Sequence, residues 1–296
     1  MRIILLIFIT LFLNGCKTTE ILSSIKKVST DKVVSEKREF KKASKSINSI
    51  SGTCHEAMLN MITKYAVNKT SGPCFLLFDK KEYQTAFKIC KPLAENGDAF
   101  SQFAIATLYD EGKGGVDRNF NTAFTWWKKA AEQGMVFPQF KVGIMYLDGL
   151  GIQQDYKLAF KWHNLAAKQN FCGSQSSLGY MYNEGIGVPQ SYKMAFKWYK
   201  IASEMGDSIA QSGLGAMYSK GLSVRQDYVK AHMWYNLSGV EFDSQKRIFM
   251  PKKNNMHKIN VARHNKSIIE KVMTNEEIVK AQDLAEKCYK NKFKGC

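Results

Sequence analysis

The segment YKMAFKWYKIA carries, among its apolar side chains, Tyr192, Ala195, Phe196, Tyr199 and Ala202. Offsets of three, four, seven and ten from the first put them on one face of an α-helix. The preceding segment, SQSSLGYMYNE, also has helix-compatible spacing, and the stretch GIGVPQ separates the two. A glycine there supplies the left-handed conformation that stops a helix, and Pro189 fits a stretch that donates no backbone hydrogen bond. The pattern predicts helix, turn, helix.

This unit repeats. Tryptophan stands at 126, 162, 198 and 234, a spacing of thirty-six each time. The same interval links Ala123, Ala159, Ala195 and Ala231, as well as Phe120, Tyr156, Tyr192 and Tyr228. Upstream in each unit Tyr146, Tyr182 and Tyr218 follow Gly143, Gly179 and Gly215, while Tyr109 is offset by one because GKGGVD carries an extra residue. The glycine pairs GKGG, GLG and GIG raise the question of a phosphate-binding loop. A dinucleotide fingerprint needs a strand before it and a third glycine three positions on, and neither is present, so these are turns. One such helix pair cannot bury its apolar face alone, so the units must stack and be capped. Beyond a basic loop or linker at 240–256, VARHNKSIIEKVM and TNEEIVKAQDLAEKCYK read as amphipathic helices of a C-terminal cap. Thr274 and Glu277 make a capping-box start for the second.

The pattern A-x-x-LG-x-MY-x-x-G-x-GV-x-x-x-x-x-A-x-x-W-x-x-x-A resembles the Sel1-like repeat, a relative of the tetratricopeptide class. The resemblance covers residues 99 to about 239. Lys81 to Asp98 looks like the second helix of an earlier, degenerate unit, and the last unit departs from the pattern at Ser223 and Gly239. What the resemblance implies is an all-α, right-handed superhelical solenoid of helix-turn-helix repeats that holds other proteins, with no chemistry of its own and no cofactor. It also implies that the two cysteines of the ending AQDLAEKCYKNKFKGC, Cys288 and Cys296, are joined.

The first sixteen residues, MRIILLIFITLFLNGC, hold Arg2, an apolar run from Ile3 to Leu13 and Gly15 before Cys16. The run is about half of a membrane span, so it reads as an export signal. The ending LNGC resembles the lipobox of bacterial lipoproteins and makes Cys16 the expected lipidated N-terminus. Lys17 directly after it resembles lipoproteins destined for the outer membrane, which sets the expected location as the bacterial cell envelope, facing the periplasm. The expected division of the chain is a signal at 1–15, a lipid-anchored basic tether at 16–50 and a divergent N-terminal cap at 51–98. Four repeats at 99–239 and a basic loop with helical cap at 240–296 follow. Export leaves Cys54, Cys74, Cys90, Cys172, Cys288 and Cys296 in an oxidising compartment, where six thiols permit 15 pairings. Cys74 with Cys90 is the simplest pair on adjacent helices. Cys172 stands where the repeat normally has a small buried alanine and reads as an unpaired core thiol.

The net charge of +17 sits at the ends. Residues 17–50 carry nine basic and four acidic side chains and 246–296 carry thirteen and five, against twenty and seventeen between them. No basic stripe is interleaved with aromatics, which argues against nucleic acid as partner. Attraction to anionic lipid or cell-envelope polymer is the better reading. Candidate chemistry is sparse. SSIK at 23–26, SIN at 46–48 and KTS at 69–71 stand in the order used by penicillin-recognising enzymes, but all lie in lysine-rich sequence near the anchor, with no room for the catalytic domain between them. His257 and His264 could share a helix face, yet no further ligand joins them at metal spacing.

The reading is therefore a non-enzymatic interaction scaffold. The alternatives are a periplasmic regulator of peptidoglycan enzymes and, distantly, a β-lactam-binding hydrolase. Two places four residues apart on the first helices vary between units: Phe103, Phe140, Ser176 and Ser212, then Thr107, Ile144, Tyr180 and Ala216. Spacing of four puts each pair on one helix face, and stacking lines the pairs into a groove suited to a peptide or protein segment. Packing between helices is the competing account of Phe103, Phe140 and Ile144. The periodic tryptophans, Trp162 among them, are expected to seal the contacts between units.

Overall fold

A computed structural model describes residues 81–238 and 252–296, together with Cys74 and Leu77. The expected signal, Cys16, the 16–50 tether, most of the 51–98 cap and the start of the 240–296 region lie outside the described residues. So do the serine and lysine motifs at 23–26, 46–48 and 69–71.

The described residues form eleven α-helices and no strand. They are α1 (Tyr83–Glu95), α2 (Ala99–Glu111), α3 (Phe120–Glu132), α4 (Val136–Asp148), α5 (Tyr156–Lys168), α6 (Cys172–Glu184), α7 (Tyr192–Glu204), α8 (Ser208–Lys220), α9 (Tyr228–Ser238), α10 (Lys252–Glu270) and α11 (Asn275–Lys290). Each packs on the next along the chain from α1 to α9, which makes a solenoid, and α10 and α11 both pack on α9 at its end. Thr274 and Glu277 close the capping box that starts α11.

Helix ends are written in local chemistry. Asp98, Asn119, Asp155, Ser191 and Asp207 each accept a hydrogen bond from the backbone N–H three residues on, satisfying an otherwise unpaired donor of the first turn. Gly112, Gly149, Gly185 and Gly221 end the four first helices in the left-handed conformation. The second glycine of the turn has a different task. A Cβ on Gly151 or Gly187 would collide with the backbone of Phe120 or Tyr156, where the preceding second helix begins. The turn is thus pressed onto its neighbour's helix start. In the last repeat Ser223 takes the same left-handed conformation, with φ of 62°.

The tryptophan period marks a half-buried layer packed against the core rather than its enclosed centre. Trp126, Trp162 and Trp198 are half-buried, and of that series only Trp234 is sealed. The fully enclosed column lies one position later, at Trp127, His163, Tyr199 and Tyr235. Those side chains point at the first helix of their own unit, where Gly143, Gly179 and Gly215 leave them room. A one-residue step turns the side chain by 100°, from a half-covered to a fully covered direction.

A second buried column is polar. Gln102, Gln139, Gln175 and Gln211 each donate through Nε2 to a carbonyl in the last turn of the preceding helix: Ala94, Ala131, Ala167 and Ser203. The helix C-terminus, with its unpaired carbonyls, is satisfied by the following repeat.

Disulfide bonds involve all five described cysteines. Cys74 is bonded to Cys90 on α1, with Cα atoms 5.1 Å apart. Cys288 is bonded to Cys296, with 5.6 Å between Cα atoms, which folds the chain end back and buries Phe293 against the cap. Cys172 is also disulfide-bonded, in contrast to the free core thiol expected from its alanine-like place in the repeat. A buried cysteine reads the same in sequence whether its partner is distant or absent.

Candidate functional site

The first helices α2, α4, α6 and α8 carry the eight variable positions, and the structure treats the two ends of the row differently. Phe103 is buried, with its ring edge-on to Trp127 at 5.4 Å and to Phe137 at 6.0 Å. Thr107 is buried too, its hydroxyl donating to the Phe103 carbonyl one turn back. Phe140 is half-buried within an aromatic cluster, 5.1 Å from Phe171, 6.1 Å from Phe137 and 5.8 Å from the His163 ring. Ser176 is buried and donates to the Gly173 carbonyl. Ile144, Ser212 and Ala216 are half-buried, and Tyr180 is 43% exposed. The row therefore runs from an aromatic, enclosed end on α2 and α4 to an open end of small side chains around Tyr180.

The period-based reading missed Phe137 and Phe171. They tie the enclosed end together, but neither belongs to a repeating column: the closeness of Phe137 to Phe140 is the one mark of the first in sequence, and nothing there marks Phe171. It also missed the ion pair between Lys141 Nζ and Asp110, 2.7 Å long and mostly shielded, which crosses from α4 to α2. Lys141 also stands over the Trp127 ring. This pair borders the row and gives it a polar edge.

Titratable groups in the interior serve packing. His163 is fully buried and its pKa is lowered to about 3 by loss of hydration. Burial likewise pushes the Tyr199 phenol far up. His232, at the boundary with the cap, is within 2.8 Å of Glu270 through Nε2 and 3.2 Å of the Asn236 side chain through Nδ1. Lys266 closes this network by donating to Asn236. Burial lowers the His232 pKa, with Glu270 acting in the opposite direction. Among the described residues no three His, Cys, Asp or Glu side chains gather as a metal site.

The Sel1 repeat family model matches residues 99–135, 139–171, 173–207 and 208–239. The repeat region is a Sel1 array. Its matches begin at α2 and end with α9, so α1, α10 and α11 flank the array. Among solved structures the chain is similar to c5321, a protective antigen present in uropathogenic Escherichia coli strains displaying an SLR fold. Identity is 31% over 70% of this chain, with a TM-score of 0.59. The match spans only 41% of that protein's chain. A Sel1 repeat protein from Oxalobacter formigenes is 29% identical over 66% of this chain and 85% of its own, with a TM-score of 0.52. No curated protein matches the chain. Sel1 arrays are scaffolds that serve interactions between proteins.

Proposed function

We propose that the protein is an exported, lipid-anchored docking scaffold whose first-helix face binds a peptide or protein segment. The observation that carries this reading is the division of labour inside the repeat. Positions that recur are consumed by structure: the glycine caps, the glycines facing His163, Tyr199 and Tyr235, and the glutamines holding the helix ends. Positions that vary keep access to solvent where the row opens, at Ile144, Tyr180, Ser212 and Ala216. A shallow surface of Ile144, small side chains and one amphipathic tyrosine suits a peptide segment better than a metabolite.

The anchor and the location belong to the same proposal and rest on the sequence. Acylation of Cys16 would hold the scaffold at the envelope membrane, with the basic stretch 17–50 beside anionic lipid or polymer. Mass spectrometry of the mature protein should find an acylated chain beginning at Cys16, and a mature chain that starts elsewhere without acyl mass would sink the anchor. For docking, a photo-reactive residue at position 180 of the full chain should capture a defined partner in the envelope. Tyr180→Ala combined with Ile144→Ser should abolish that capture while the melting temperature stays within a few degrees. Undiminished capture by the folded double variant would move the partner to another face.

A further inference from the structure

The turn that ends a first helix is pressed onto the start of the preceding second helix, with Gly114, Gly151 and Gly187 against Tyr83, Phe120 and Tyr156. In the first unit this junction holds a cation supplied by the turn itself. α2 ends in Glu111 and α1 begins with Tyr83. Lys113 Nζ pairs with the Glu111 carboxylate at 2.7 Å and stands over the Tyr83 ring, 4.8 Å from its centroid. The hydrogen bond to Glu111 raises the lysine's pKa, and Tyr83 acts in the same direction. The acid takes an N–H and the ring face takes the charge, so the junction is a seat for an ammonium group.

The other units treat the junction differently. In the second, Arg118 lies over the Phe120 ring at 4.3 Å. In the fourth, α8 ends in Lys220 instead of an acid. The third keeps the acid and the ring and lacks the cation. There α6 ends in Glu184, α5 begins with the exposed Tyr156, and the turn carries Ile186 where the first has Lys113. Gln154 takes the place of Arg118 and donates to the Leu147 carbonyl. Glu184 accepts from the Asn183 amide. Among the described residues no lysine or arginine pairs with Glu184 or stands over Tyr156 or Tyr180.

This junction also gains a second ring. Tyr180 stands one turn before Glu184, at the open half of the variable row, where the first unit has the buried Thr107. Burial raises the Tyr180 pKa, and Glu184, Tyr156 and Asp148 push it the same way, which puts all three near its phenol.

We propose that Tyr156, Tyr180 and Glu184 form a seat for a lysine side chain of the docked peptide, as Tyr83 and Glu111 do for Lys113 within the chain. The lysine N–H groups donate to the Glu184 carboxylate and its charge meets the two ring faces, with Asp148 adding negative charge from the second repeat. The inference rests on the docking reading above and adds the partner's chemistry: a segment that presents lysine to the third repeat.

The seat is tested on the full-length protein with N-acetyl-lysine methylamide, so it is read whether or not a protein is captured at position 180. Assigned ring resonances of Tyr156 and Tyr180 should shift saturably in NMR with this probe and stay still with the uncharged N-acetyl-norleucine methylamide. Tetramethylammonium has the charge but no N–H for Glu184, and should bind several times more weakly. Glu184→Gln should weaken the lysine probe about fivefold. Ile186→Lys copies the turn of the first unit and should weaken it by a similar factor, by filling the seat from within. No saturable shift, an equal response to the norleucine probe, tetramethylammonium binding as tightly as lysine, or binding unchanged in either folded variant overturns the proposal. If the variants fail to fold, the three probes decide on the wild-type protein. A partner captured at position 180 whose binding needs no lysine overturns the seat and leaves docking intact, whereas a working seat with no captured partner does the reverse.

Discussion

Gly179 on α6 lies directly under the ring of Tyr199 on α7: a Cβ added to the glycine would stand 2.5 Å from Tyr199 Cδ1. The ring is 5% exposed and cannot swing aside. The same contact recurs between Gly143 and His163 and between Gly215 and Tyr235. At each of these places the absent Cβ lets the second helix seat its ring against the first.

Gly179→Ala therefore sets two effects against each other. Alanine gains about 1 kcal/mol in helix propensity, while overpacking a full interior costs about 1–3 kcal/mol. Since the obstacle is a buried ring, we expect a net loss of about 1–2 kcal/mol in chemical denaturation. Adding Tyr199→Leu should return part of it, a coupling that a double-mutant cycle would read. A Gly179→Ala protein as stable as wild type would refute the packing account.

The glutamine column contains its own defect. Gln133 Nε2 donates to Gln102 Oε1 at 2.8 Å and to the Gly97 carbonyl, and Gln169 repeats this with Gln139 Oε1 and Gly134. In the next unit Met205 takes that place, and Gln175 Oε1 is buried without a partner. Met205→Gln should restore the pair at nearly constant volume. A gain of about 1 kcal/mol is expected, seen as a rise in melting temperature of about 2–4 °C. No change, or a fall, would show that the carbonyl oxygen is already satisfied.

How much of this the sequence disclosed depends on the periodicity of each feature. The helix pairs, the glycine caps and the cap helices follow from spacing, because a thirty-six-residue period and a 3.6-residue helix leave few ways to fold. The glutamine column at 139, 175 and 211 was equally periodic, but polar residues at repeat positions are naturally taken as solvated. Trp162 packs half-buried against the core as its period implies, but the enclosed column beside it was hidden: adjacent aromatic positions in one helix both read as apolar, and only the facing glycine decides which is enclosed. The variable row was legible as a row. Its enclosed and open halves were not, since Phe103 is enclosed partly by Phe137, which belongs to no repeating column, and a disulfide at Cys172 leaves no mark at a repeat position that alanine also fills.

At the chain end, the Cys288–Cys296 bond closes a short loop that holds Phe293 against the cap. Closing a loop of this size removes enough freedom from the unfolded chain to stabilise by about 2–3 kcal/mol. Replacing both cysteines with alanine avoids mispairing and should lower cap stability by that amount. Hydrogen exchange should localise the loss to α11 and spare α4 to α6. Protection lost evenly over the whole array would mean that the bond supports the solenoid rather than its cap.

The buried histidine makes an acid-sensitive joint in the second repeat. His163 is wholly enclosed, its Nδ1 lies 3.4 Å from the Ser174 hydroxyl, and Nε2 has no partner, so the neutral ring is what the site accommodates. Its pKa falls to about 3 in the folded protein, against about 6.5 unfolded. The unfolded chain thus binds the extra proton first, and stability is complete above pH 6.5 and drains away as pH falls from there towards 3. Between pH 7 and pH 5 this one group should cost about 2 kcal/mol. His163→Tyr is the informative variant because tyrosine fills the same column at Tyr199 and Tyr235, each facing a glycine as His163 faces Gly143. Urea denaturation at the two pH values should show the wild type losing about 2 kcal/mol more than the variant, whatever their difference at pH 7. Equal losses in the two proteins would mean that His163 can take up a proton without leaving its place.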